Sequence, residues 1–238
     1  QPRGKGLGGS SAINAMVYIR GHRADYDQWA SLGNAGWSFA DVLPYFKRAE
    51  DNSDFGGEYH GKGGPLAVNK SRTDNPVQQI FLQAAQEAQF RLREDFNADE
   101  HEGLGIYQLT QKNGERCSAA RAYIHPHMGN RANLRVETHA HATRILFEGK
   151  RAVGVEYRQG KELKQIRARR EVIASSGAFQ TPQLLMLSGI GPGAHLSEHG
   201  IDVRIDRAAV GSDLQDHLDY TAAFETPGDV FLGRSLKG

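Results

Sequence analysis

The chain has 238 residues, 39% of them apolar, with 29 basic and 28 acidic side chains and a formal net charge of +1. This length suits one large domain or two small ones, and the apolar share is enough for a packed core. The charge balance gives no electrostatic case for nucleic acid or an anionic membrane, and no run approaches the roughly 18 apolar residues that span a bilayer. One cysteine, Cys117, leaves no internal disulfide and points to a reducing compartment. The chain opens at Gln1 on a glycine-rich segment, without Met or a signal-peptide pattern, so the expectation is a piece of a longer protein.

In chain order, Gly4-Lys-Gly-Leu-Gly-Gly-Ser-Ser-Ala-Ile-Asn14 reads as a glycine loop, with Ser10 or Ser11 capping the helix that follows. Ser38 with Asp41 three residues on marks a second helix start, and Pro44 is expected to break or kink that helix. Residues 51–64 hold five glycines and read as loop. Asn75-Pro76 is a cap followed by proline at the first helical position, and Val77, Ile80, Phe81, Ala84, Ala85 and Ala88 repeat at helical spacing. That stripe is read as a core-packing face.

The pattern changes at Asn133. Residues 134–136, 143–147, 152–157 and 163–168 alternate or carry β-branched side chains, with Glu148-Gly149 and Gln159-Gly160 where hairpin turns belong. Residues 134–176 are therefore expected to form an antiparallel meander plus one more buried strand, Glu171–Ser176. That strand runs into Gly177 and a helix opened by Thr181 and Pro182.

Gly4, Gly6 and Gly9 match G-x-G-x-x-G, and Asp25 lies about twenty residues on. A dinucleotide fingerprint must follow a β-strand, and only Gln1-Pro2-Arg3 precede it, so the fingerprint reading is rejected. Gly8-Gly9-Ser10-Ser11 still offers backbone N–H groups at a helix start with no Cβ in the way, an arrangement suited to a phosphate; the plain alternative is a glycine turn. His125 with His127, and His139 with His141, are i,i+2 pairs, but no Cys or acidic cluster completes a ligand set, so no metal is expected. Cys117 reads as a buried small residue and Ser118 as a helix cap.

Two longer strings carry a resemblance. Gly4–Asn14 with Tyr18-Ile-Arg-Gly21 and Asp25-Tyr-Asp-Gln-Trp29, and Gly177-Ala-Phe-Gln-Thr-Pro-Gln-Leu-Leu-Met-Leu-Ser-Gly-Ile-Gly191, resemble the two signatures of the glucose-methanol-choline oxidoreductases, in the right order. Asn133-Leu-Arg-Val136, Gly154-Val-Glu-Tyr157 and Val210-Gly-Ser-Asp-Leu-Gln-Asp-His217 also look like family positions. The likeness is nearest to the bacterial choline and alcohol dehydrogenases of that family. It implies a mixed α/β fold: part of a Rossmann-like FAD domain with an antiparallel meander, and part of an antiparallel-sheet substrate domain. The implied segments are 1–50 (FAD lid and extended FAD segment), 51–130 (substrate side), 131–217 (FAD domain with meander) and 218–238 (return to the substrate side).

The resemblance implies cofactor contacts at Gly8, Gly9, Ser10 and Ser11 along the FAD pyrophosphate and ribityl chain. It places Asn14 beside the isoalloxazine, with tying the helix start together as the less favoured alternative, and counts Ala15 among the cofactor-binding residues. It also implies contacts at Ala142 near the adenine and at Gly177 and Ala178. Relatives with covalent FAD use a histidine where this chain has Ile13, so FAD is expected to be non-covalent. The family's catalytic histidine and its fingerprint strand fall outside these residues, so no catalytic residue is assigned. Leu184, Leu185 and Leu187 read as core, and Asp216 and His217 as structural hydrogen-bonding groups.

The expected activity of the parent is oxidation of an alcohol CH–OH (choline, or another aliphatic or aromatic alcohol) by hydride transfer to flavin N5. A cytoplasmic location, or one peripheral to the inner membrane, goes with it, and a homo-oligomer is expected to cover open sheet edges. The alternatives are a hydroxynitrile lyase of the same family and an inactive structural domain. The 238-residue polypeptide alone is expected to bind FAD weakly and not to turn over alcohols.

Overall fold

The computed structural model describes residues 2–73 and 75–223. They belong to two compact units, Gln1–Arg135 and Val136–Ala223. Both mix helices with small, mostly antiparallel sheets, as the sequence predicts.

The first unit begins with the glycine loop and a 3-10 turn at Gly9–Ala12, followed by β1 (Val17–Tyr18), α1 (Arg23–Ser31) and α2 (Phe39–Ala49). Next come β2 (Glu50–Asn52), β3 (Leu66–Lys70), α3 (Val77–Glu87), β4 (Gln108–Leu109), the hairpin β5 (Gln111–Lys112) and β6 (Glu115–Arg116), and α4 (Ala119–Tyr123). The main sheet has the order β1-β4-β3-β2, antiparallel except for the β2–β3 pair. A small core of Ala67, Cys117 and Ala122, with Leu66 against it, lies under α4, so Cys117 is buried as expected.

Local chemistry explains most helix starts. Ser38 and Asp41 form the expected reciprocal cap of α2, and Ser118 Oγ accepts from the Arg121 N–H at the start of α4. Ahead of α3, Asn75 Oδ1 accepts from the Val77 N–H, but Pro76 stands at the N-cap itself, one place before the first helical position expected for it. Helix α1, which the sequence reading missed, is capped by His22 Nδ1 on the Ala24 N–H, with Asp25 in its first turn.

Several expectations fail. Pro44 does not break α2, which runs through it. Burial of Phe39 and Val42 and the capping box hold the helix despite one lost backbone bond. Neither Ser10 nor Ser11 caps the first turn, because both hydroxyls are engaged elsewhere. The apolar stripe of α3 is not a core face along its length: Ala85 is buried, but Ile80 and Phe81 are 57% and 53% exposed.

In the second unit the meander is present: β7 (Ala140–Glu148), β8 (Arg151–Gln159) and β9 (Glu162–Arg167), antiparallel in that order. The turns fall where the glycines predict, Gly149 at φ 56° and Gly160 at φ 62°, each closing a two-residue loop. Helix α5 (Gly177–Leu187), strand β10 (Ile190–Gly191), helix α6 (Gly193–Glu198) and strand β11 (Ile205–Asp206) follow. β10 and β11 pair in parallel.

Residues 134–136 and 171–176 are not strands, contrary to expectation, and Ile173 is 78% exposed. A strand exists only through its ladder, and among the described residues no strand pairs with either segment. Helix α5 starts at Gly177 rather than at Thr181-Pro182; Thr181 Oγ1 accepts the Ser176 N–H instead. Leu184 is buried as read, whereas Leu187 is 46% exposed. Of the 218–238 segment, residues 224–238 lie outside the described residues.

Candidate functional site

The glycine loop is built from its backbone outward. Gly8 (φ 89°) and Gly9 (φ 54°) both take left-handed conformations that a side chain disfavours. A Cβ on Gly8 would come within 3.2 Å of the Ala120 nitrogen, whereas a Cβ on Gly9 would meet no atom within 4 Å. Gly8 therefore seats the loop on α4, and Gly9 opens on free space. Ser10 Oγ accepts the Gly4 N–H at 3.2 Å. Ser11 Oγ donates to the Gly8 carbonyl and accepts the Ala119 N–H at 2.9 Å.

Asn14 Oδ1 accepts from the Met16 N–H at 3.1 Å and from Arg116 Nη1 at 2.7 Å. Ile13, Asn14 and Ala15 are exposed. Among the described residues the Gly8 and Ser10 backbone N–H groups have no protein acceptor. Unclaimed donors at the start of a turn, beside a glycine with open space, fit an anionic phosphate.

The sequence-derived positions therefore divide between the units. Gly8, Gly9, Ser10, Ser11, Asn14 and Ala15 come together in the first. In the second, Ala142 lies on β7 opposite Tyr157, at a register shift next to Arg144. Gly177, at φ 85°, and Ala178 are the first two residues of α5 and are exposed. Asp216 and His217 are exposed, and Asp216 Oδ1 accepts the His217 N–H. Among the described residues no group of three or more His, Cys, Asp or Glu side chains is placed to hold a metal.

Sequence reasoning missed a buried polar network behind the main sheet. Glu50, fully buried at the start of β2, binds Arg20 Nη2 at 2.7 Å, His60 Nδ1 at 2.9 Å, Asn52 Nδ2 at 2.6 Å and the Gly61 N–H at 3.1 Å. His60 Nε2 reaches Asp95 at 2.7 Å, and Asn52 exchanges amide bonds with Gln108 at 2.9 Å. Asn97 Oδ1 accepts the Arg20 N–H at 2.7 Å, and the Arg20 guanidinium lies 5.2 Å from the Phe46 ring centre. Arg20 belongs to the string Tyr18-Ile-Arg-Gly21, so this part of the signature folds the segment that follows the glycine loop.

The network sets its own ionisation. Burial alone would lower the His60 imidazole, but the Asp95 and Glu50 carboxylates outweigh it and push it up to about 9. Burial would raise Glu50, yet bonds from His60, Asn52 and Gly61 and the Arg20 charge hold it below the usual carboxylate range. Asp95 is lowered in the same way, chiefly by His60, against its own burial.

The stabilisation from His60 is thus complete below its ordinary value of 6.5 and is lost as pH rises through about 9. The carboxylates contribute above their ordinary values and lose that contribution as pH falls through their lowered ones. We therefore expect the thermal midpoint to be flat between the ordinary carboxylate range and pH 6.5, to fall from there toward pH 9 as the His60 contribution is lost, and to fall on the acid side as the carboxylates are protonated. His60→Gln should remove the alkaline fall; a fall persisting in that variant would assign it to another group.

An open groove of about 390 Å³ runs beside α3, lined by Val17, Val77, Phe81, Leu82, Ile106 and Leu109 among others. It accounts for the exposure of Phe81. No helix of the described residues is long and apolar enough to cross a membrane.

The GMC oxidoreductase model matches residues 1–219, which include the glycine loop, the meander and helix α5. The chain belongs to the GMC oxidoreductase family. It is 51% identical, over 99% of its length, to an oxygen-dependent choline dehydrogenase from Brucella anthropi, and it spans 42% of that enzyme's length. It also resembles the solved structure of a pyridoxine 4-oxidase from Mesorbium loti, with a TM-score of 0.79 and 33% identity over 86% of this chain and 40% of that one. An FAD-dependent oxidoreductase from Chaetomium thermophilum is similar, with a TM-score of 0.78 and 32% identity over 83% of this chain and 37% of that one.

Proposed function

We propose that this chain is part of an FAD-dependent oxidoreductase that converts an alcohol CH–OH, of choline or another aliphatic or aromatic alcohol, to the carbonyl. The observation that carries this reading is the left-handed Gly8-Gly9 turn, with its open Gly9 and the unclaimed Gly8 and Ser10 N–H groups, in a chain of the GMC family. FAD, when bound, supplies the hydride acceptor, flavin N5. Gly8, Gly9, Ser10 and Ser11 line the phosphate side, where the Gly8 and Ser10 backbone N–H groups are the donors, since those of Gly9 and Ser11 are held by the Gly6 and Gly8 carbonyls; Asn14 lines the ring side, and Ala15 is counted among the cofactor-binding residues. In the second unit the reading assigns Ala142, Gly177 and Ala178 to the cofactor. Ile13 offers no nitrogen for a covalent link, so FAD is held by non-covalent contacts alone.

The proton acceptor for the hydroxyl is assigned to no residue of this chain. The four-segment division at residues 50, 130 and 217, a cytoplasmic or membrane-peripheral location and a homo-oligomer complete the reading. The test uses the full natural chain loaded with FAD. Under anaerobic conditions choline or an aromatic alcohol is expected to bleach the visible flavin bands. An intact spectrum with cyanohydrin cleavage would favour a lyase, and a colourless protein that takes up no FAD would overturn the reading.

A further inference from the structure

The geometry points to Arg116 as the residue that positions the glycine loop and fixes which way the Asn14 amide faces. This inference rests on the cofactor reading above and names a determinant that the sequence motifs do not contain. Arg116 ends the β5–β6 hairpin, about a hundred residues after the loop in sequence. Its Nη1 alone donates to three acceptors: Asn14 Oδ1 at 2.7 Å, the Asn14 carbonyl at 2.7 Å and the Ser11 carbonyl at 3.3 Å. The other tethers come from the same stretch, the Ala119 N–H on Ser11 Oγ and the close approach of Gly8 to Ala120. Residues 116–120 thus form a seat for the loop, and Arg116 supplies the charged contact from that stretch.

The consequence lies in the polarity of Asn14. A guanidinium and a backbone N–H can only donate, so the side-chain atom that faces both must be the amide oxygen. With Arg116 Nη1 and the Met16 N–H on Oδ1, both oxygen lone pairs are used. The Asn14 carbonyl is taken by Arg116, and the Asn14 N–H is taken by the Ser10 carbonyl. What the exposed Asn14 has left to offer is the pair of Nδ2 hydrogens. Arg116 makes Asn14 a donor, and a ligand lying against it must present an acceptor, such as a ring carbonyl or an imine nitrogen. Without Arg116 only the Met16 N–H holds the amide oxygen on that side, so the amide turns over more readily and can place its oxygen against the same acceptor.

The experiment uses the full natural chain in apo and FAD-loaded forms, with Arg116→Met, Arg116→Lys and Asn14→Asp. Arg116→Met is expected to weaken FAD binding by about tenfold to a hundredfold, as loss of charge-assisted bonds does. It should also speed amide exchange at Asn14–Met16 in the apoprotein, with the thermal midpoint little changed. Arg116→Lys should restore both, because a single nitrogen makes all three contacts. Asn14→Asp keeps the pairing with Arg116 but removes the donors, so it should weaken FAD binding while exchange stays slow. Wild-type FAD affinity in Arg116→Met, or failure of lysine to restore it, would overturn the inference. If the unaltered protein takes up no FAD, the flavoprotein reading fails instead, and with it the ligand part of this inference; the apoprotein exchange still reads the clamp.

Discussion

Glu50→Ala should destabilise the folded chain by about 3–5 kcal/mol, the usual cost of removing one partner from a buried ion pair. The carboxylate is fully buried and receives Arg20, His60, Asn52 and the Gly61 N–H. Its removal leaves the Arg20 guanidinium, whose side chain is 3% exposed, with its Nη2 unpaired beside an Nε that already has no partner. It also leaves Asp95 as the one carboxylate on His60 among the described residues, so the imidazole returns toward its ordinary value and loses part of its charge-based bonding at neutral pH. Equilibrium unfolding in denaturant, at matched slope, is the measurement. A loss under about 1 kcal/mol would mean that water replaces the carboxylate and that the network is not closed. Glu50→Gln, which keeps the shape and one acceptor oxygen, should cost less, because fewer bonds are lost and the charge deficit is the main change.

The parts of this molecule legible in the sequence are those whose physics is local. The Ser38–Asp41 box, the Ser118 cap and the two meander turns at Gly149 and Gly160 depend on residues within four positions of one another, and each is present. Glu50, His60 and Arg20 gave no signal, because their partners lie 10, 30 and 35 residues apart in sequence and only the sheet brings them together. Arg116 gave none for the same reason.

The errors have the opposite cause. Glu171–Ser176 has the composition of a buried strand, but composition cannot supply a ladder. The α3 stripe has helical period, yet it borders a groove rather than a packed layer. Periodicity reports which face of an element is apolar and not what lies against it. Pro44 and Pro182 show the converse: tertiary packing carries a helix through a residue that local preference would place at an end.

Gly4→Ala should reduce FAD affinity of the full natural chain by about a hundredfold or more while leaving the Glu50 network intact. A Cβ at Gly4 would lie 2.2 Å from the Gly9 carbonyl oxygen, 2.4 Å from its carbon and 2.6 Å from the Ser10 nitrogen. All three are backbone atoms, so no rotamer relieves the contact, and the strand of loop at 4 or the turn at 9–10 must move. That movement breaks the Gly4 N–H bond to Ser10 Oγ and disturbs the left-handed Gly8-Gly9 pair, which aims the Gly8 and Ser10 N–H groups, the proposed phosphate donors. Gly6→Ala is the control. Its Cβ would meet nothing within 4 Å, and Gly6 has no positive φ, so affinity should stay within a few-fold of wild type. The pair also separates two readings of the same glycines. A dinucleotide fingerprint would need its second glycine for close approach of the pyrophosphate, and Gly6→Ala would then be the damaging change. A loop that folds back on itself needs Gly4, for contact with its own backbone. Titration of both apoproteins with FAD decides the matter, and a severe Gly6→Ala defect beside a mild Gly4→Ala one would reverse the assignment.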